Sequence, residues 1–229
     1  MTYQPVALVT GATRGIGRAV AAELSTTHRI LVGGRDQSSV AQLVAELDDA
    51  APFVCDLTRE DEVAEACAGI TRLDVLVHSA GVVASGKIRA ASRELWREVF
   101  ETNVFAVADL TRLLLPALEA AKGLVIAINS GAGFDSSPGG GVYAGSKFAL
   151  RALTDALREE VRGTVRVCSI HPGRTDTDMQ RELQAAMGNK NYDGTLYVAP
   201  VSVAAAVRLA VDTPANAAIE QLSIRPSIS

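Results

Sequence analysis

Val6-Ala-Leu-Val-Thr-Gly-Ala-Thr-Arg-Gly-Ile-Gly17 joins a short apolar strand to a helix through a glycine-rich turn. Gly11, Gly15 and Gly17 permit a tight turn, a close approach of the backbone to a pyrophosphate, and close packing of the helix on a sheet. The free N–H groups and the positive dipole at the start of the helix favour an anion there. The stretch therefore predicts a phosphate-binding strand–turn–helix unit, and a purely structural glycine turn is the alternative.

Beyond this unit, short β-branched runs alternate with longer helical patterns along the chain. Strands are expected at 6–10, 29–34, 52–55, 73–79, 124–130, 165–171 and 221–225. Helices are expected at 15–25, 38–47, 61–67, 93–121, 143–161 and 202–211, and Pro116 is expected to bend or interrupt the longest one. The strands are continuously apolar, which is typical of a parallel sheet covered by helices on both faces. The pattern predicts an α/β fold, a single Rossmann-type doubly wound parallel sheet of about seven strands in one domain over 1–229.

The composition excludes several classes of protein. Of the 229 residues, 48% are hydrophobic, 21% charged and 4% aromatic, which is typical of a globular chain. The net charge of −4 offers no basic surface for nucleic acid. Cys55, Cys67 and Cys168 have neither metal-site spacing nor an even count, so we expect reduced thiols and no metal site. The first five residues lack a signal peptide's basic region and no apolar run nears the roughly 20 residues of a membrane span, so a cytoplasmic location is expected.

A second informative stretch, Tyr143-Ala-Gly-Ser-Lys147, places a phenol and an ammonium four residues apart in a predicted helix. Positions i and i+4 share one face of a helix. A cation there favours the phenolate, so the pKa of Tyr143 is expected to fall below its usual value of about 10. Such a phenol is suited to exchanging a proton with a carbonyl oxygen or an alcohol, and an ordinary surface pair is the alternative for an isolated match.

Together the two stretches resemble the short-chain dehydrogenase/reductase family, whose turn has the spacing Gly-x-x-x-Gly-x-Gly. Further segments match that family in the right order along almost the whole chain. They are Cys55-Asp56-Leu57, His78-Ser-Ala-Gly81, Thr102-Asn-Val104 with Asn103, Ser130 at 13 positions before Tyr143, and Pro172-Gly-Arg-Thr-Asp-Thr177. The family has Asn at both positions 78 and 79, and we interpret His78 as a buried residue that replaces one of them, not as a catalyst.

The resemblance implies an oxidoreductase that transfers a hydride between NADPH and a small ketone or aldehyde, in one or both directions. Tyr143 would be the general acid or base, and Lys147 would lower its pKa and bind the nicotinamide ribose. Ser130 would orient and polarise the substrate oxygen. Asn103 would hold a water that links Lys147 to a proton relay, which completes the expected catalytic set.

The resemblance also implies a cofactor site assembled from all of these motifs. In it, Asp56 would contact adenine and Thr177 would contact the nicotinamide carboxamide. The expected cofactor-binding residues are Gly11, Thr13, Arg14, Gly15, Ile16, Gly17, Arg35, Asp56, Leu57, Ser79, Ala80, Gly81, Tyr143, Lys147, Pro172, Gly173, Thr175 and Thr177.

The choice between NAD and NADP depends on the residues around the end of the second strand. Asp36 is near the generic spacing for an acid on the ribose 2′-hydroxyl of NAD. The predicted strand, however, ends at Gly34, where NAD-using members of the family usually have that acid, and Arg35 follows. Arg14 in the glycine-rich turn adds a second guanidinium, and two guanidinium groups suit a 2′-phosphate. We predict NADPH/NADP+, with solvated surface arginines as the alternative.

The segment 178–198 is expected to be a short substrate lid. Apolar side chains such as Met179 and Leu183 cluster there, and the run 187–191 breaks the helical pattern. An apolar lid indicates a small carbonyl or alcohol substrate, with core packing as the alternative explanation. The apolar faces of 93–121 and 143–161 resemble the family's oligomer surface, so a homodimer or homotetramer is expected unless those faces are internal core.

Two other functions stay open at this point, and a third is disfavoured. A 3-oxoacyl-thioester reductase of fatty-acid or polyketide type has the same catalytic residues and needs a basic mouth, for which Lys87, Arg89 and Arg93 are candidates. A non-catalytic NADP(H)-binding regulator would be expected to lack Tyr143 or Lys147. A serine hydrolase is disfavoured, since the chain has no Gly-x-Ser-x-Gly elbow and the glycine-rich turn would be left unexplained.

Overall fold

Seven parallel strands form the central sheet in the computed structural model, which describes residues 3–227. The strands are β1 (Val6–Val9), β2 (Arg29–Gly34), β3 (Ala50–Val54), β4 (Val75–His78), β5 (Leu124–Ile128), β6 (Arg166–Pro172) and β7 (Gln221–Ile224). Their order in the sheet is β3-β2-β1-β4-β5-β6-β7, and every adjacent pair is parallel. The order reverses between β1 and β4, and ligands of such sheets bind at the carboxyl ends of the strands at this point.

Eight α-helices accompany these strands within residues 3–227. They are α1 (Gly15–Leu24), α2 (Gln37–Glu46), α3 (Glu60–Cys67), α4 (Arg93–Phe100), α5 (Ala106–Ala121), α6 (Gly141–Glu160), α7 (Asp178–Ala186) and α8 (Pro200–Asp212). Several begin at side chains that accept a hydrogen bond from the first helical turn, among them Asp36, Ser92 and Thr177. Proline at the start of α8 fits because the first N–H groups of a helix have no partner inside it.

The core lies in two layers, one on each face of the sheet. On one face, α1, α2 and α8 contribute buried side chains such as Leu24, Leu43 and Val207. On the other face, α3, α5 and α6 contribute Val63, Leu114 and others. All residues of β4 and β5 are buried, because helices cover both of their faces. The predicted fold class is thereby confirmed.

The long helix predicted at 93–121 is interrupted at a place that we did not predict. A π-helical turn, Glu101–Phe105, separates α4 from α5. The interruption predicted at Pro116 is wrong, because α5 continues through this residue to Ala121. The wider π turn carries the buried Asn103, so the break coincides with one of the candidate site residues.

The remaining helical predictions differ from the structure mainly at their ends. The segment 178–198 contains α7, which ends at Ala186, just before the predicted break at 187–191. Short 3₁₀ turns occur at Ile88–Ala90, Gly131–Gly133 and Gly194–Leu196. Within residues 3–227, no helix has the length and apolarity needed to cross a bilayer. The expectation about a signal peptide rests partly on residues 1–2, which lie outside the described part of the chain.

Candidate active site

Two adjoining cavities open at the carboxyl ends of the strands. The first has a volume of about 280 Å³ and is lined by the glycine-rich turn and by the ends of β2, β3 and β4. It includes thirteen of the predicted cofactor-binding residues, which are Gly11, Thr13, Arg14, Gly15, Ile16, Gly17, Arg35, Asp56, Leu57, Ser79, Ala80, Gly81 and Thr177. The second, of about 740 Å³, includes Ser130, Tyr143, Pro172, Gly173, Thr175, and again Ile16 and Thr177. Asn103 and Lys147 line neither cavity.

The glycine-rich turn is shaped by close approaches that a side chain would block. Gly11 has a φ of +61°, and a Cβ added to it would lie 2.8 Å from the Cα of Ala80. A Cβ on Gly17 would lie 2.2 Å from the carbonyl oxygen of Gly11. The turn therefore needs glycine at these positions, which leaves its backbone open to a ligand at the start of α1.

Thr10 ties the glycine-rich turn to the end of β4, a role that the sequence analysis missed. Its buried hydroxyl oxygen accepts hydrogen bonds from the N–H groups of Ser79, at 3.0 Å, and Ala80, at 3.1 Å. The contact holds the segment 78–81 against β1 across the point where the strand order reverses. A hydroxyl residue at the end of the first strand is the sequence signal that could have indicated it.

Arg35 and Asp36 are neighbours in the chain, but only Arg35 lines the first cavity. Oδ1 of Asp36 instead accepts hydrogen bonds from the hydroxyl and N–H of Ser39, at 2.5 and 2.8 Å, and from the hydroxyl of Ser38, at 2.7 Å. These bonds, those from Ser39 foremost, lower the pKa of Asp36 to about 2. The carboxylate therefore caps α2 and is turned away from the cavity.

Gly34 and Arg14 complete the surroundings of Arg35. A Cβ on Gly34 would lie 2.8 Å from Cγ2 of Val40, so the place where an acidic side chain would face the cavity is crowded. The exposed Arg14 lines the cavity, and its Nη1 lies 3.9 Å from Oε1 of Glu182 on α7. Within this rim, the two guanidinium groups suit a phosphate better than a ribose hydroxyl.

The structure brings Tyr143, Lys147 and Ser130 together at the start of α6 and the end of β5. Lys147 is buried, and its Nζ donates to the carbonyl oxygen of Ile128 at 3.0 Å and lies 5.8 Å from the centre of the Tyr143 ring. Burial lowers the pKa of Lys147 to about 8. The ammonium is thus close to the phenol, but its first partner is a backbone oxygen.

The predicted lowering of the Tyr143 pKa is wrong for this arrangement. Burial raises the pKa of Tyr143, and a hydrogen bond with the Ser130 side chain opposes the rise without cancelling it. The physical reason is that removal from water disfavours the phenolate, and the buried Lys147 is drawn toward the Ile128 carbonyl. The phenol is consequently held in its protonated form.

Asn103 acts as a clamp between two segments of the site. Its Oδ1 accepts from the Val82 N–H at 2.9 Å, and its Nδ2 donates to the Val82 carbonyl oxygen at 2.9 Å and to Oγ of Ser146 at 3.0 Å. Ser146 in turn donates to the carbonyl oxygen of Tyr143 at 2.7 Å. Both amide hydrogens of Asn103 are engaged, so a water of the expected relay would need another atom of this residue.

Ser130 is held in place by residues that the sequence analysis did not single out. Its N–H donates to Oδ1 of Asn129 at 2.9 Å, and its carbonyl oxygen is 3.0 Å from Nδ1 of His171. His171 is fully buried, the ring of Phe134 lies 4.2 Å from its own, and burial lowers its pKa. A neutral His171 with the proton on Nδ1 can donate to the Ser130 carbonyl. No local sequence signal marks this contact, because β5 and β6 are brought together by the sheet.

His78 and the basic side chains singled out in the sequence lie away from the two cavities, whereas Cys55 lines the first one. His78 is buried, its Nε2 is 2.8 Å from Oγ1 of Thr111, and burial lowers its pKa to about 3. The candidates for a basic mouth, Lys87, Arg89 and Arg93, line neither cavity. The three cysteines are buried, and burial raises the pKa of each thiol. In the described part of the chain, no three His, Cys, Asp or Glu side chains are grouped so that they could hold a metal ion.

Comparison with known proteins gives one consistent result. A family model described as short chain dehydrogenase matches residues 5–188. Serine 3-dehydrogenase of Agrobacterium fabrum is 33% identical over 233 residues, which cover 96% of this chain and 92% of that protein.

Solved structures resemble the chain over nearly its whole length. The closed form of a serine dehydrogenase complexed with NADP+ superposes with a TM-score of 0.89 at 29% identity, covering 96% of this chain and 94% of that chain. An actinorhodin polyketide ketoreductase with NADPH superposes with a TM-score of 0.90 at 27% identity, covering 100% and 99%. Both solved structures are complexes with the phosphorylated nicotinamide cofactor.

Proposed function

The chain belongs to the short-chain dehydrogenase/reductase family, and on that premise we propose that it reduces small ketones or aldehydes with NADPH, or oxidises the corresponding alcohols with NADP+. The observation that carries the proposal is the meeting of Ser130, Tyr143 and Lys147 beside a cavity formed by the glycine-rich turn. A cofactor-binding regulator would not need this constellation.

The first cavity fits the phosphorylated cofactor. Its closely approached backbone at Gly11 and Gly17 suits a pyrophosphate, and Arg14 and Arg35 suit a 2′-phosphate. Asp36, the residue that would favour NAD, is engaged in capping α2. When bound, NADPH supplies the hydride. The NADP+ and NADPH complexes of the two similar structures support this choice.

Residues of the protein itself would donate the proton and orient the substrate oxygen. Because the pKa of Tyr143 is raised by burial, the phenol carries its proton near neutral pH and is ready to donate it to a developing alkoxide. Ser130 lines the second cavity together with Tyr143 and would orient the same oxygen. Lys147 would hold the nicotinamide ribose and keep a positive charge near the phenol.

The organisation of the molecule completes the proposal. Residues 1–229 would form one domain, with the segment 178–198 as a lid whose α7 is linked to the turn through Arg14 and Glu182. Apolar side chains of this segment, Met179 and Leu183, line the second cavity, which supports a small carbonyl or alcohol as substrate. A homodimer or homotetramer in the cytoplasm is expected from the sequence.

The experiment that tests the proposal combines turnover with cofactor binding. NADPH oxidation is followed with a panel of small ketones and aldehydes, for the native protein and for Tyr143→Phe. The variant keeps the ring but cannot donate a proton, so kcat should fall by about 10²- to 10⁴-fold. Its NADPH affinity, measured by fluorescence titration, should stay within about twofold. Reduction that survives the change would contradict the mechanism.

A further inference from the structure

Arg225 is held at the edge of the second cavity by an arrangement that the reaction described above does not use. This residue directly follows β7, and its Nη1 donates to the carbonyl oxygens of His171, at 2.7 Å, and Ile224, at 3.3 Å. Its side chain lines the same cavity as Ser130 and Tyr143. The guanidinium is therefore fixed by the backbone of β6 and β7 beside the proposed site of reduction.

Two glycines make room for this side chain. A Cβ on Gly131 would lie 3.0 Å from Nη2 of Arg225, and a Cβ on Gly173 would lie 3.2 Å from its Cδ. Gly131 directly follows Ser130, and Gly173 directly follows the end of β6. A larger residue at either position would press on Arg225, so the local sequence accommodates a guanidinium one residue from Ser130.

The guanidinium has no ionic partner within residues 3–227. None of the salt bridges among these residues includes Arg225 or Arg174, a second arginine that lines the cavity. Arg174 instead lies over the ring of Tyr197 at 5.2 Å. The cavity lining holds one acid, Asp135, against these two cations, so its charge is positive in a chain whose net charge is −4.

We infer that Arg225 binds a carboxylate of the substrate, so that the proposed reductase acts on short oxo acids and their hydroxy acids. The inference rests on the proposed function and adds the chemical class of its substrate. Arginine matches a carboxylate with two parallel hydrogen bonds. Because Nη1 of Arg225 donates to the carbonyl oxygens of His171 and Ile224, its Nε and Nη2 would make these bonds.

The shared cavity limits where the two ends of the substrate can bind. Arg225 and Ser130 line the same cavity, and Gly131, which adjoins the guanidinium, directly follows Ser130. A short oxo acid could therefore place its carboxylate on Arg225 and its carbonyl on Ser130. A single excess positive charge in the lining suits a carboxylate monoanion better than a phosphate dianion.

Matched substrates test the inference directly. We would compare kcat/KM for 3-oxobutanoate and for its neutral methyl ester, with NADPH and the native protein, Arg225→Met, Arg225→Lys and Arg97→Met. Arg97 is an exposed arginine on α4 that lines neither cavity, so its variant controls for the loss of one surface charge. The native protein and Arg97→Met should prefer the acid.

In Arg225→Met the preference should disappear, because kcat/KM for the acid falls by about 10- to 100-fold while the value for the ester changes less than about threefold. Arg225→Lys should retain part of the preference for the acid. Lysine keeps the positive charge but cannot form the two parallel hydrogen bonds of a guanidinium. A native protein that reduces the ester as well as the acid, with Arg225→Met altering neither, would overturn the inference and leave the proposed reductase intact.

A binding measurement separates the inference from the proposed function. Calorimetric titration of the native protein and Arg225→Met with butanoate and with methyl butanoate needs no turnover. Butanoate binding that is weakened about 10-fold or more in Arg225→Met supports the carboxylate site even if no ketone is reduced. Equal affinity of the two proteins for butanoate, or no butanoate binding to the native protein, overturns it.

Discussion

Arg35 should determine the choice of cofactor, because it lines the first cavity and its neighbour Asp36 does not. Replacing Arg35 by Ala would remove the charge-assisted contact that we propose it makes with the 2′-phosphate. We expect NADPH affinity to fall by about 10- to 100-fold and NADH affinity to change less than about twofold. Fluorescence titration of the native protein and the variant with each cofactor measures both values.

The control for this prediction is Asp36→Ala, which removes the cap of α2. The loss should lower the free energy of unfolding, measured by urea denaturation, and leave the ratio of NADPH to NADH affinity unchanged. A variant at Asp36 that shifts the ratio toward NADPH would mean that the carboxylate does reach the ribose.

His78 should make the protein sensitive to acid. Its pKa is lowered from 6.5 to about 3 by burial, so between these values the unfolded state binds the proton and the folded state does not. The free energy of unfolding therefore falls as the pH falls through this window, by about 2 kcal/mol at pH 5 from this group alone. His28 and His171 also have lowered pKa values and act in the same direction.

Replacement of His78 by Asn, the residue that the resembling motif has there, isolates the contribution of His78. Thermal or urea unfolding at pH 7 and pH 5 should show a smaller loss of stability for His78→Asn than for the native protein, by about 2 kcal/mol. Parallel losses in the two proteins would show that His78 becomes protonated without unfolding.

At the scale of elements, the π turn Glu101–Phe105 should matter more to the site than the sequence pattern indicated. The turn places Asn103 so that its side chain makes three hydrogen bonds to Val82 and Ser146. Asn103→Ala loses all three in a buried position and should lower the free energy of unfolding by about 2–4 kcal/mol. Ser146→Ala keeps two of them and should cost about 1 kcal/mol.

Kinetics distinguishes positioning from mere stability at this turn. Under conditions where Asn103→Ala is folded, judged by circular dichroism, kcat should still be reduced, because Asn103 and Ser146 join the segment after β4 to the backbone of Tyr143. NADPH affinity should fall as well, since Ala80 and Gly81 precede Val82 in the first cavity. An unchanged kcat in folded Asn103→Ala would show that the hydrogen bonds of Asn103 contribute to stability and not to catalysis.

The same turn shows what the sequence pattern could and could not predict. Apolar periodicity predicted nearly every helix and strand to within a few residues. Positions that are buried in an element are apolar, and their spacing along the chain is visible in the sequence. It could not show a change of hydrogen-bond register inside one helical run, since the period hardly alters over five residues. Pro116 was the visible helix breaker, yet the break occurs where Asn103 meets Val82, a contact between separate segments.

For the whole molecule, the family resemblance that the motifs indicated is confirmed, and so is the parallel sheet. The motifs placed most of the expected cofactor residues on one cavity because each follows a strand, and the carboxyl ends of parallel strands meet at one edge. The pKa of Tyr143 and the position of Arg225 were not predictable in this way. They depend on burial and on contacts such as that of Arg225 with His171, 54 residues apart in the chain.

The assembly expected from the sequence is testable on one exposed apolar surface. Phe105 and Phe148 are 53% and 43% exposed, on the π turn and on α6, the two regions expected to form an oligomer surface. Burying these rings against a second copy of the chain would be more favourable than leaving them exposed to water. Light scattering should therefore give a mass of at least twice 24.0 kDa for the native protein and a lower mass for Phe105→Glu combined with Phe148→Glu.

The control is Leu209→Glu, which places the same charge at a residue of α8 that is 56% exposed. If the oligomer forms through the π turn and α6, this variant should keep the native mass while the Phe105/Phe148 variant dissociates. The opposite result would place the interface on α8. A native protein of 24.0 kDa would show that the exposed rings belong to a monomer, and the expected oligomer would then be wrong.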